Sequence, residues 1–128
     1  MSKIPKISGS EWEVMNVIWE KSPISTSEVM TRLSHKSWKI TTVKTFLDRL
    51  VQKRVLGFEM HGGRYSYIPK VSKEACVKCE SRSFLSRVFN GETAPMLMQF
   101  VKNADLSLEE IQELKQILRK KEAEREHS

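Results

Sequence analysis

The sequence predicts a mainly α-helical fold with a small β wing: a winged helix-turn-helix over residues 1–70, followed by a helical region over 71–128. Three observations carry this expectation. Apolar residues recur at helical spacing through three segments of the first half. The period then drops from 3.6 to 2 on either side of Gly62-Gly63, and it returns to helical spacing after Pro69.

The first helix opens on either of two capping boxes, Ser8 with Glu11 or Ser10 with Glu13, in which a serine oxygen and a glutamate three residues on satisfy each other's backbone N–H groups. Trp12, Met15 and Trp19 follow on one stripe, with Val14 and Ile18 beside them. Pro23 closes the segment, because proline disfavours helix at the residue before it. Ser25 and Glu28 form a further capping box for a short helix through Leu33, with Val29, Met30 and Leu33 inward. Ser34 to Lys39 is polar and reads as a turn. Trp38 is its exception, placed either against the hairpin or beside a bound polyanion, with core packing the commoner fate of a tryptophan.

The third helix runs from about Thr41 to Lys53. Val43, Phe46, Leu47 and Leu50 form its inward face, and the opposite face holds Thr41, Thr42, Lys44, Thr45, Asp48 and Arg49. Phe58 and Met60 then alternate with Glu59 and His61, and Tyr65 and Tyr67 with Arg64 and Ser66. The intervening glycines predict a two-residue hairpin turn, which needs positive φ. Pro23-Ile24 is expected to add a third strand.

Beyond residue 70, Ser72 caps a helix to about Phe89 that carries Phe84, Leu85 and Val88, and Asn90-Gly91 ends it. A short helix from Ala94 to Asn103 carries Leu97, Phe100 and Val101. Ser107 and Glu110 form a capping box for a last helix with Ile111, Leu114, Ile117 and Leu118. The charged tail from Arg119 onward is expected to fray.

Composition narrows the class. The chain has 128 residues, 39% hydrophobic and 30% charged, which suits a soluble globular protein of one domain, or of one domain plus a small appendage. No apolar run approaches the ~18 residues of a membrane span. The basic start MSKIPKISGSEWEV lacks the apolar core of a signal peptide, so a cytoplasmic location is expected. Residues 1–70 hold twelve Lys/Arg and six Asp/Glu, whereas residues 71–128 hold ten of each, so the whole formal charge of +6 sits in the first half. That split suits a polyanion-binding module joined to a neutral partner-binding one.

In a helix-turn-helix the second helix of the motif enters the major groove. Thr42, Thr45 and Arg49 share one line of helix 41–53, and Thr41, Lys44 and Asp48 an adjacent one. Threonine hydrogen-bonds base edges or touches a thymine methyl, and lysine and arginine reach guanine or phosphate. Arg64 and His61 flank the hairpin tip, where a wing meets the sugar-phosphate backbone or minor groove. Double-stranded DNA is therefore the expected partner.

Other classes fare worse. The histidines, His35, His61 and His127, fall in a turn, near the wing tip and in the tail, so no catalytic constellation is expected and no Gly-rich phosphate loop is present. Cys76 and Cys79 are only half of a zinc site, and they read either as ordinary helix residues or as a metal- or redox-sensing pair, so neither a cofactor nor a metal is expected. A protein-interaction winged helix would present an apolar patch in place of the threonine-rich face, and a small-molecule-gated repressor would need a pocket in the C-terminal helices.

At this level of detail the chain resembles the penicillinase repressor family over almost its whole length. The resemblance is carried by ISGSEWEVMNVIWE, WKITTVKTFLDRLVQKRVL and GGRYSYIP, and continues through SFLSRVFNG and LSLEEIQELKQIL. It implies a homodimeric transcription repressor on a palindromic operator, paired through the C-terminal helices by Phe84, Leu85, Val88, Leu97, Phe100, Val101, Ile111, Leu114 and Leu118. It also implies relief of repression by a membrane sensor protease pathway, with cleavage matching the Gln99–Phe100 bond, where Gln99 stands in place of the family's Asn. Lys39-Ile40-Thr41-Thr42 stands where the family carries Ser-Pro-Lys-Thr, which implies a different operator preference. The tail KKEAEREHS lacks the cysteine pairs of the copper-responsive relatives, which places the chain closer to the β-lactam-responsive branch.

Overall fold

A computed structural model of the chain describes residues 4–127. The elements run α1 (Gly9–Glu20), β1 (Ile24–Ser25), α2 (Thr26–Arg32), a 3-10 turn (Ser34–Lys36), α3 (Ile40–Gln52), β2 (Leu56–His61), β3 (Arg64–Pro69), α4 (Lys73–Phe89), α5 (Thr93–Asn103) and α6 (Leu108–Glu126). They form two compact units, which divide between Phe84 and Leu85.

In the first unit, the box that forms at the start of α1 is Ser8 with Glu11, not Ser10 with Glu13. Glu13 instead faces Lys36, 3.5 Å away. At α2 only half of the expected box is made. Ser25 accepts from the Glu28 N–H, but the Glu28 carboxylate is taken by Lys21 at 2.7 Å. α3 begins one residue earlier than periodicity suggested, because Lys39 already has extended backbone at the N-cap and its carbonyl accepts from Thr42 and Val43.

The sheet is antiparallel in the order β1-β3-β2, with Ile24 opposite Tyr67 and Phe58 opposite the same tyrosine on its other side. The strand expected at Pro23-Ile24 thus forms at Ile24-Ser25. Gly62 and Gly63 turn the hairpin with φ of 58° and 79°, the left-handed backbone that a primed two-residue turn demands.

α1, α2, α3 and the sheet close on one core in which Val14, Met15, Ile18, Ile24, Val29, Val43, Leu47, Leu50, Val55 and Leu56 are almost completely buried. The unit does not stop at residue 70. Trp19 Nε1 donates to the Val71 carbonyl at 3.0 Å, and Cys76 on the first turn of α4 is buried in the same core. Ser72 caps α4, its hydroxyl accepting from the Ala75 N–H at 3.1 Å.

The second unit contains the end of α4 together with α5 and α6. α4 is terminated by Asn90 and Gly91, both at positive φ, with the Gly91 N–H donating to the Leu85 carbonyl at 3.0 Å. Phe89 and Phe100 meet edge to face, centroids 6.5 Å apart. α6 opens on the expected Ser107–Glu110 capping box. It then continues through Glu126, so the tail expected to fray from Arg119 is helical. Residues 119–126 are rich in the straight-chain and alanine residues that favour helix, and none of them is glycine or proline. No described residue of this unit is buried.

Candidate nucleic-acid interface

The surface with the features of a reading head is built on α3. Val43, Leu47 and Leu50 anchor one side of the helix in the core, and this fixes where the other side points. Thr41, Lys44, Thr45, Asp48 and Arg49 are all exposed there, with Thr42 half-buried at the edge. The Thr45 hydroxyl donates back to the Thr41 carbonyl at 2.9 Å, so the side chain is held in one rotamer and presents its methyl group and an acceptor lone pair. No side chain caps the N-terminus of α3, so its first N–H groups and the positive end of its dipole remain available to an anion.

The wing tip carries the other two predicted contacts. His61 and Arg64 are direct cross-strand partners on either side of the glycine turn, and both are exposed. They differ in how free they are. His61 Nε2 lies 3.0 Å from Glu59 Oε2, so a carboxylate on the same strand holds the ring and reduces the positive charge at that edge.

The tertiary structure brings α2, α3 and the wing around one hollow of about 370 Å³. Lys44 and Arg64 line it together, with Ser25, Thr26, Ser27, Ile40 and Tyr65. Two cations and several hydroxyl groups thus converge from three elements, an arrangement matched to a phosphodiester backbone. Sequence reasoning identified Lys44 and Arg64 separately but missed Ser27, Ile40 and Tyr65. The available signal was topological: the first helix of a helix-turn-helix crosses the DNA backbone, which points to the residues that open α2.

Trp38 packs edge to face against Phe46, with ring centroids 5.1 Å apart, in the partly buried fringe of the core. Phe46 is half-buried beside the indole.

The residues assigned to pairing and cleavage lie elsewhere. Phe84, Leu85 and Ile111 are half-buried. Val88, Leu97, Phe100, Val101, Leu114 and Leu118 are exposed although apolar. Gln99 and Phe100 occupy adjacent exposed positions in the middle of α5. Leu97, Val101, Leu106, Ile111, Leu114 and Leu118 line an apolar groove of about 340 Å³ between α5 and α6.

A three-helix head with an outward-facing third helix and a three-stranded wing defines a winged helix-turn-helix protein. Residues 7–120 match the family model of the penicillinase repressor, and the chain belongs to that family. It is 44% identical to the penicillinase repressor of Bacillus licheniformis over 119 residues, spanning 92% of this chain and 93% of that one. It is 32% identical to the methicillin resistance regulatory protein MecI of Staphylococcus aureus (strain N315) over 121 residues, 94% of this chain and 98% of the relative. Among solved structures, it is similar to the DNA-binding domain of the repressor BlaI, with a TM-score of 0.51 and 42% identity over 57% of this chain and 90% of that domain. It is equally similar, at a TM-score of 0.51 and 41% identity, to Bacillus licheniformis BlaI in its monomeric form in complex with the blaP half-operator, covering 58% of this chain and 92% of that one.

Proposed function

We propose that this protein is a transcription repressor that binds a palindromic operator as a homodimer. The observation that carries the proposal is the hollow where Lys44 of α3 and Arg64 of the wing converge beside the exposed face of Thr41, Thr45 and Arg49. α3 lies in the major groove, with Thr42, Thr45 and Arg49 toward base edges, and Lys44 and Arg64 hold phosphates on either side. His61 adds a weaker contact at the wing tip. Kinship with a repressor whose monomer has been solved on a half-operator supports the same reading.

Within residues 71–128, the helices beyond the head pair two copies. The supporting observation is that the second unit buries no described side chain while exposing an apolar groove, and a helical layer without a core requires a partner. Dimerisation fixes the half-site spacing and makes binding of the second head intramolecular. With on the order of four phosphates neutralised per subunit, log K against log[salt] has a slope of roughly −7.

The regulated genes are those of β-lactam resistance or a related response, by kinship with the penicillinase and methicillin resistance regulators. Repression is relieved by proteolysis near Gln99–Phe100, which removes the groove from the DNA-binding half. The test is a mobility-shift titration with a palindromic duplex and its single half-site, before and after a protease site engineered at residues 99–100 is cut. Tight binding to the palindrome that collapses to half-site affinity on cutting is expected. Equal retention of both duplexes at every stage would refute the proposal.

A further inference from the structure

Cys76 and Cys79 stand one helical turn apart on α4, and both line a hollow of about 180 Å³ that the reading surface does not share. Ile4, Ile7 and Trp12 give it an apolar wall, and Lys6, Glu80 and Ser83 line it as well. Cys76 is 2% exposed, Cys79 is exposed, and neither forms a disulfide, so the hollow joins a buried thiol and an open one. We propose that this hollow binds a soft, two-coordinate thiophilic cation of the Cu(I) and Ag(I) type, held between the two thiolates.

The donor set selects the ion. Thiolate sulfur favours soft cations over magnesium, calcium or manganese. Zinc usually wants four ligands. Among the described residues no group of three or more His, Cys, Asp or Glu is placed to hold a metal. Two thiolates with no third strong donor match a cation that is satisfied by two.

Spacing separates this from a disulfide. Side chains at i and i+3 of a helix have Cβ atoms ~5–6 Å apart. A disulfide needs that distance to be ~3.5–4.5 Å, so oxidation would have to distort the turn. An intervening ion with two metal–thiolate bonds of ~2.3 Å spans sulfurs that remain apart, so the turn need not close to disulfide distance.

The charges balance. Two S–H bonds break, two S–metal bonds form, and two protons pass to the buffer. Protons therefore compete with the ion, and affinity rises with pH.

The test is a titration of the reduced full-length protein with Ag(I) in chloride-free buffer. It is followed by native mass spectrometry, by Trp12 emission and by thermal shift. One ion per chain is expected, with proton release and a raised melting temperature. Cys79→Ser, at an exposed position, keeps the fold and weakens binding by about 100-fold, because the chelate is lost. Unchanged affinity in Cys79→Ser, two independent ions per chain, one ion shared between two chains, or no uptake would each overturn the proposal. Circular dichroism of the variant identifies any loss that comes from misfolding, and Cys79→Ala then repeats the comparison.

Discussion

The ammonium of Lys53 lies 2.6 Å from Glu11 Oε1, joining the C-cap of the reading helix to the first turn of α1 across 42 residues of sequence. The carboxylate is 2% exposed and also accepts from the Ser8 N–H at 2.9 Å. Lys53 donates as well to the Lys6 carbonyl at 2.9 Å. One buried acid thus fixes both the entry of α1 and the exit of α3.

Removing Lys53 leaves that carboxylate buried without its counter-charge. Lys53→Met is expected to cost about 2–3 kcal/mol, somewhat under the usual penalty for breaking a buried pair because the lysine is partly exposed. The shift in urea midpoint at constant m-value measures it.

Stability also depends on pH through the same pair. Burial pushes the Glu11 carboxyl up, but the Lys53 hydrogen bond and charge, together with Ser8, outweigh it and hold the pKa below the ordinary carboxylate value. A depressed folded pKa contributes stability that is full above the unfolded value and is lost as pH falls through the folded one. Chemical denaturation from neutral into acid conditions is therefore expected to show a steeper loss for the parent than for Glu11→Gln.

Arg49 and Thr45 are expected to set sequence preference. Arg49→Ala should cost about 1–3 kcal/mol on a cognate duplex and much less on a scrambled one. The Thr45 donor is already engaged by the Thr41 carbonyl, so Thr45→Val should retain more affinity than Thr45→Ala if the methyl meets a thymine. Fluorescence anisotropy on both duplexes reads the difference.

Arg64 is expected to behave differently. Its alanine variant should weaken all duplexes alike and reduce the magnitude of the salt slope by about one per subunit, because a phosphate contact carries no base information. An effect confined to one base pair would reassign the residue to the minor-groove floor.

Pairing is tested at Leu118, which is 61% exposed on α6 and lines the apolar groove. Leu118→Glu places a charge on that surface and is expected to shift sedimentation from dimer to single chains while leaving half-site binding intact. Persistence of the dimer would move the interface elsewhere.

The helices and the wing were legible because their signals are local. Serine and glutamate three residues apart, apolar recurrence at 3.6, and paired glycines between alternating segments each act within a few residues. The exposed line of Thr41, Lys44, Thr45 and Arg49 followed from the buried line of Val43, Leu47 and Leu50 on the same helix. Choices between near-equal local options were not legible. Ser8 prevails over Ser10 as the cap in a structure where Glu11 reaches Lys53 and Glu13 faces Lys36, and the Ser25 box stays half-made because Lys21 takes Glu28.

Local pattern and charge thus set the order of elements, the outward face of α3 and the basic character of the first half. The juxtaposition of Lys44 with Arg64, the seat of Trp38 on Phe46, the burial of Cys76 in the head and the Glu11–Lys53 pair arose only when distant segments closed on a shared core. Those contacts join residues whose separation in sequence carries no periodic signature, and their geometry exists only once the intervening chain has packed.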